Sequence, residues 1–389
     1  MIIFFTIFFS VYAAVNYYIF IRGWQALSSA PQLKPFYAVI FIIAALSYIA
    51  AKFLDGRIPH AVYDGLIWIG SFWFAFMLYF FLSIVLIDFL RLLNWKLNFF
   101  PNFITQNYDE VKKYLLTAVI IISTIIIFFG YLNTRKIVIK TLSLELPQKQ
   151  SKLTELNAVM LSDIHLSTIN GEKLLSKIVE KINSLEPDIV FIPGDFVDDR
   201  AETLKLEGIG GSLSKIKTKY GVFASTGNHE FINGINGTSK FISDNGINLI
   251  RDSSILVADN FILAAREDGS KENFTGEKRK SLQEIMNSFD NNYPIILLDH
   301  TPFKLEEAEA NGVDLQLSGH THHGQMFPLN LITKIIYEVS WGYKKKSSTH
   351  YYVSCGVGTW GPPVRLGSES EIVNLKIKFI TTQKNYNAE

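Results

Sequence analysis

What most restricts this 389-residue chain is where its charges are missing. Residues 1–132 carry 8 Lys/Arg and 5 Asp/Glu, whereas residues 133–389 carry 29 and 31. The first third also holds 19 of the 30 phenylalanines. Four stretches in it have no charge at all: Ile2–Ile21, Pro35–Ala51, Gly65–Ile87 and Tyr114–Thr134. A helix needs about 20 apolar residues to cross a hydrocarbon core about 30 Å thick. The first, third and fourth stretches meet that length, and the second can be extended by Lys52 and Arg57, whose heads snorkel outward. A helix buried on one side in a soluble domain would show a polar face, and none of these does. No cation precedes the first stretch and no small-residue cleavage site follows it, so it reads as a helix rather than a signal peptide. These features predict a transmembrane region of four helices over 1–134 and a soluble domain over 135–389.

The remaining composition removes other classes. The chain is too apolar for disorder. A single cysteine, Cys355, excludes an internal disulfide scaffold and a cysteine-based zinc cluster. A net charge of +1 with no strong basic block argues against nucleic acid as the partner, and the lysines at 344–346 read as a solvated loop. Asn94–Pro101, a mixture of aromatics and one cation, suits the headgroup zone. Asp64 and Asp88 fall at span ends, so the membrane part reads as an anchor and not a transport pathway. With the N-terminus outside, cytoplasmic loops carry six cations against five outside; this balance places the soluble domain on the extracytoplasmic side of a multi-pass membrane protein.

From Arg135 the pattern changes to alternation, Ile137 to Leu146, which reads as a strand. Short apolar runs follow at Ala158–Leu161, Ile189–Ile192, Val222–Ala224, Ile295–Leu298 and Val313–Leu317, with helical stretches such as Glu172–Leu185 between them. The end is β-rich, at Tyr351–Ser354 and Glu371–Phe379. Strands alternating with helices, then an all-β tail, predict a layered α/β fold around buried sheets.

Six of the eight histidines fall in or beside polar clusters that directly follow these runs. The clusters are Asp163-Ile164-His165, Gly194-Asp195-Phe196-Val197-Asp198, Gly227-Asn228-His229-Glu230, Asp299-His300-Thr301-Pro302 and Gly319-His320-Thr321-His322-His323-Gly324-Gln325. Ligand sites of open α/β sheets lie at the carboxyl ends of strands. Imidazole, carboxylate and amide oxygen together make a mixed N/O donor set suited to Mn, Fe, Zn or related divalent ions. Four His, two Asp and one Asn exceed what one ion needs and suit two ions sharing a carboxylate, for which Asp195 is the natural bridge. Two such ions can polarise a phosphoryl group and hold a hydroxide for in-line attack. The glycines beside the ligands permit tight turns and close backbone approach.

The order and spacing of these five motifs resemble the calcineurin-like metallophosphoesterase superfamily, over roughly 153–379. The runs Leu317–Gln325 and Gly356–Arg365 are similar to its membrane-associated bacterial branch. The resemblance implies a layered α-β-β-α domain and a dinuclear centre. One ion would be held by Asp163, His165 and His322, and the other by Asn228, His300 and His320, with Asp195 between them. It implies that His229 is no ligand but stands near the leaving group, as general acid or transition-state stabiliser. Asp198 and Glu230 would orient histidines. The reaction expected is phosphodiester or pyrophosphate hydrolysis by metal-activated water, on a phosphoester that membrane anchoring makes a candidate for lipid linkage. A sensor or scaffold that uses the fold only for binding is the alternative; the intact ligand set argues against it.

Other residues carry weaker readings. His323 faces either substrate or solvent. Arg365 either grips phosphate, which its guanidinium fits, or forms a structural ion pair. Arg266 opens a polar stretch, 266–280, that could form a flap over the cleft. His60 and His350 read as surface residues, and Cys355 as a packed thiol.

Overall fold

The computed structural model describes residues 2–287 and 292–381. Its packing divides the chain into two units, Met1–Leu132 with Gly361–Val364, and Asn133–Trp360 with Arg365–Glu389.

The first unit is helical. Its long helices are Ile2–Ala26, Lys34–Leu54, His60–Leu97 and Tyr108–Thr134. Among the described residues, three helical segments are long and apolar enough to cross a membrane: Pro31–Leu54, His60–Leu97 and Tyr108–Thr134. Most of their apolar side chains point outward, as with Ile121, Ile122 and Phe129. The small interior is aromatic: Trp73 packs edge-on against Phe41 with centroids 4.8 Å apart, and its Nε1–H donates to Asn16 Oδ1 at 2.9 Å. Asp88 lies within the third long helix, which runs on to Leu97. Its carboxylate accepts from Arg22 Nη2 and Tyr18 Oη at 2.5 Å and from Arg91 Nη1 at 2.9 Å. In an apolar surround a lone carboxylate is costly, and two guanidiniums offset it.

The second unit holds two six-stranded mixed sheets. Its strands are β1 (Ile137–Pro147), β2 (Glu155–Met160), β3 (Ile189–Pro193), β4 (Val222–Ser225), β5 (Asn248–Leu249), β6 (Ser253–Val257), β7 (Phe261–Arg266), β8 (Ile295–Asp299), β9 (Leu315–Ser318), β10 (Gly342–Lys346), β11 (Thr349–Val353) and β12 (Ser370–Ile380). The first sheet has the order β1-β12-β2-β3-β4-β5 and the second β10-β11-β9-β8-β7-β6. Strands β2, β3, β4 and β5 run parallel to one another. So do β7, β8, β9 and β11.

Strands buried on both faces read as continuous apolar runs, and these do. Met160, Phe191, Leu263, Leu298 and Leu317 fill the space between the sheets. The outer face of the first sheet packs on Glu172–Ser184, whose Leu175, Ile178, Val179 and Ile182 recur at helical spacing. The outer face of the second covers Leu282, Ile285 and Ala308 from short helices. The layers are therefore helix, sheet, sheet, helix. The lysines at 344–346 lie in β10, paired with Thr349–Tyr351 and neighbouring β11 residues, and not in a loop.

Candidate metal centre

Three parallel neighbours of the first sheet and two of the second end side by side, and the chain turns there into the five polar clusters. The strands are rigid because both faces are buried, so the loops at their carboxyl ends inherit fixed positions. Five of the seven expected ligands, Asp163, His165, Asp195, His320 and His322, adopt positive φ between 45° and 71°. For residues with a Cβ this conformation is uncommon and is typical of sites where the surrounding structure overrides local preference. Glycine solves a different problem at Gly227 and Gly319. A Cβ there would collide with Asp195 Oδ1 and Asp163 Oδ2 respectively.

The loops bring all seven residues into two adjoining donor groups. In one, His322 Nε2 lies 3.4 Å from Asp163 Oδ1 and 3.0 Å from His165 Nε2. In the other, His300 Nε2 lies 3.1 Å from Asp195 Oδ2, and His320 joins them within reach of one ion. Asn228 Oδ1 sits 3.0 Å from His320 Nδ1. The same Asp195 Oδ2 is 3.7 Å from His165 Nε2, so this carboxylate stands between the two groups. Asp163, His165 and His300 are fully buried.

The charge states of these groups fit divalent cations. Burial pushes the Asp163 carboxyl up to about 6. Burial, with His229 nearby, holds His165 down to about 4. Burial and His300 hold His320 down to about 4, and burial and His165 hold His322 well below the ordinary value. These rings are neutral donors at pH 7. Burial opposes charge on His300 as well, yet Asp195 and Asp163 raise it well above the ordinary value. The His300 Nδ1–H donates to the Pro193 carbonyl at 2.8 Å, which fixes the ring orientation and leaves the buried Nε2 directed at Asp195 Oδ2. Buried carboxylates and neutral imidazole nitrogens that converge on one another form a donor set that suits divalent cations.

Beside this cluster stands His229. Its Nδ1 lies 2.5 Å from Asp198 Oδ1, and its backbone N–H donates to Asp195 Oδ1 at 2.9 Å. Burial works against its charge, but Asp195 and Asp198 raise the imidazole to about 9. It is a proton-bearing histidine at neutral pH. Glu230 has a different task from orienting a histidine. It accepts the backbone N–H groups of Asp195, Phe196, Val197 and Gly227 at 2.6–3.1 Å, which clamps two ligand loops together.

Arg365 is fully buried, and its Nη2 donates to the carbonyls of Cys355, Gly356 and Gly358 at 2.5–3.1 Å. It braces the loop against which His322 rests, 3.4 Å from that ring's Nδ1. His323 is buried and does not face solvent; its Nδ1 meets Ser340 Oγ at 2.9 Å and its ring packs at a tilt against Trp341. His350 is buried and bonded to the Tyr343 hydroxyl. The 266–280 stretch is no loose flap, because Arg266 and Arg279 pair with Asp299 at 3.4 and 3.0 Å, and Lys271 pairs with Glu267 at 2.6 Å. His60 is exposed beside Asp64, and Cys355 is buried.

Sequence reasoning passed over three contributors. Ser162 Oγ donates to Asp163 Oδ2 at 2.5 Å; its place next to an expected ligand was the available signal. Asn170 Nδ2 ties the His165 carbonyl to that of Thr359, across 189 positions. The Tyr337 ring lies 6.1 Å from that of His320. No local pattern announces either of these.

With this geometry in place, the family model described as calcineurin-like phosphoesterase matches residues 156–324. A metallophosphoesterase of Campylobacter jejuni is 30% identical over 70% of this chain and 72% of its own length. One of Helicobacter pylori is 32% identical over 57% of this chain. A transmembrane protein with metallophosphoesterase domain of Danio rerio is 30% identical over 67% of this chain and 62% of its own length. The chain spans about 60% of the length of the Helicobacter relative. This chain belongs to the calcineurin-like metallophosphoesterase family.

Proposed function

We propose that the protein is a membrane-anchored, metal-dependent phosphoester hydrolase of phosphodiesterase or pyrophosphatase type, with two divalent ions in its site. The observation that carries the reading is the pair of adjoining donor groups with Asp195 between them. Asp163, His165 and His322 would hold one ion; Asn228, His300 and His320 the other. Mn, Fe and Zn all suit this donor set. When bound, such ions supply polarisation of the phosphoryl group and a nucleophilic water at neutral pH.

The chain's own residues supply the rest. Asp198 holds the His229 ring through Nδ1, so Nε2 is the atom left to deliver a proton to the departing oxygen. Glu230 and Arg365 keep the ligand loops at fixed separation. The N-terminal helices hold the domain at a bilayer; we read four of them as spans, with the catalytic domain on the extracytoplasmic side. Such anchoring favours a lipid-linked phosphoester. The test is His229→Ala in the full-length protein. It is expected to retain its bound metal and to lose about 10²- to 10⁴-fold in turnover of alkyl phosphodiesters, with a smaller loss on p-nitrophenyl esters, whose leaving group needs no proton. Equal turnover of alkyl esters by the variant removes this role.

A further inference from the structure

Among the described residues of the second unit, exposed apolar side chains such as Leu206 and Ile232 are mostly scattered, but one group is concentrated. The helix Leu329–Ile336 follows directly on the histidine loop and has no buried residue. Leu331, Ile332 and Ile336 are about half exposed, and Ile335 is 85% exposed. Phe327, before the helix, and Phe303, in the loop after β8, are also about half exposed. Exposed aliphatic residues in one short helix cost solubility and mark an interaction surface.

The helix is fastened to the candidate metal centre. Gly324 takes φ 72° and passes so close to Leu329 and Asn330 that a Cβ would strike their backbone. At the other end Tyr337 stacks on Phe303, with centroids 4.7 Å apart, and turns its edge toward His320. The apolar surface and the ligand loop therefore belong to one rigid piece.

We infer that the helix Leu329–Ile336 and the flanking Phe303 and Phe327 dip into the surface of a lipid bilayer beside the metal centre. A bilayer is the occupant that the chain itself favours. Three helical segments long enough to cross a membrane keep one tethered to the domain, and tethering turns weak surface binding into an effectively intramolecular event. The composition is that of an interfacial segment, with aliphatic and aromatic residues around a single cation, Lys334, whose ammonium can reach headgroup phosphates. Docked in this way, the site would receive phosphoesters at headgroup depth. Only that last consequence rests on the hydrolase reading.

The experiment is to label Ile335→Cys with nitrobenzoxadiazole in the full-length protein, in vesicles of phosphatidylcholine and phosphatidylglycerol. The native Cys355 is buried and does not compete for label. Quenching by shallow doxyl-lipids together with protection from aqueous iodide is expected. Iodide quenching without lipid quenching, or protection from both as a protein partner would give, overturns the inference and leaves the hydrolase reading untouched. A second variant, Ile332→Asp with Ile335→Asp, should slow hydrolysis of a vesicle-borne alkyl p-nitrophenyl phosphodiester about tenfold. It should leave soluble bis-p-nitrophenyl phosphate unchanged. Equal slowing on both substrates also overturns it.

Discussion

Ile121 and Ile296 are the same residue with opposite fates. Ile121 sits on a long apolar helix of the N-terminal unit and is 53% exposed, while Ile296 lies in β8 between two sheets and is fully buried. Charged residues show the reverse arrangement. The α/β unit buries Asp163, Asp195, His165, His300, Glu230 and Arg365 around one point, whereas Lys52 and Lys96 of the helical unit lie outward. The two units are built for two solvents. A bilayer welcomes outward isoleucine, and water drives isoleucine inward. Within the α/β unit, backbone groups satisfy Glu230 and Arg365, and on the proposed reading divalent cations would offset the buried carboxylates.

The largest effect on stability should separate these two isoleucines. Ile296→Ala is expected to cost about 2–5 kcal/mol, from lost burial and an unfilled cavity. Ile121→Ala, at an exposed position of its helix, should cost well under about 1 kcal/mol. Thermal unfolding of both variants in the same detergent measures the contrast, and equal shifts would mean that Ile121 is packed against protein.

Next in size is Glu230→Ala. Four backbone donors lose their acceptor in a buried place. Water that enters the vacated space can take over most of these donors, so a net cost of about 1–3 kcal/mol and a drop of several degrees in Tm are expected. Metal affinity should fall with it, because the clamped loops carry Asp195 and Asn228. Glu230→Gln should recover part of the stability.

A smaller effect concerns pH in metal-free protein. His165 and His320 are held down to about 4 from an ordinary 6.5. Between these values the unfolded chain binds the extra protons, so the stability contributed by the neutral rings is complete above pH 6.5. It is lost as pH falls toward 4. His322, also held down, adds to this, while Asp163, raised to about 6, and Glu230, raised to about 7, work in the opposite sense. Denaturant titrations at pH 7 and pH 5 should show weaker folding at pH 5 for the metal-free protein, and His165→Gln should shrink the difference. Bound divalent metal should widen it, since protons and metal compete for the same nitrogens.

The order of the five ligand clusters was legible in the sequence because each is a short polar insert after an apolar run, and strand ends are set locally by burial. Asp163, His165, Asp195, Asn228, His300, His320 and His322 all follow that rule and all meet in space. What was not legible depends on distant partners. Glu230 bonds to residues 33–35 positions earlier. Arg365 looks like a phosphate ligand in a Gly/Pro turn until the carbonyls around it are seen. His323 and His350 look exposed until Ser340 and Tyr343 are placed beside them. The 344–346 lysines read as a loop because β10, an edge strand, alternates intermediate and exposed residues and carries no apolar face. Arg22 and Asp88 sit 66 positions apart, and only helix packing shows that each satisfies the other.

Counting bound metal against turnover in the full-length protein tests the two-ion hydrolase reading most directly. Elemental analysis of purified protein should find two divalent ions per chain, and hydrolysis of bis-p-nitrophenyl phosphate should require them. Asp195→Asn should lose at least one ion and about 10³-fold in rate, as expected for removing a shared carboxylate worth several kcal/mol. Turnover that survives both chelation and Asp195→Asn would contradict the account.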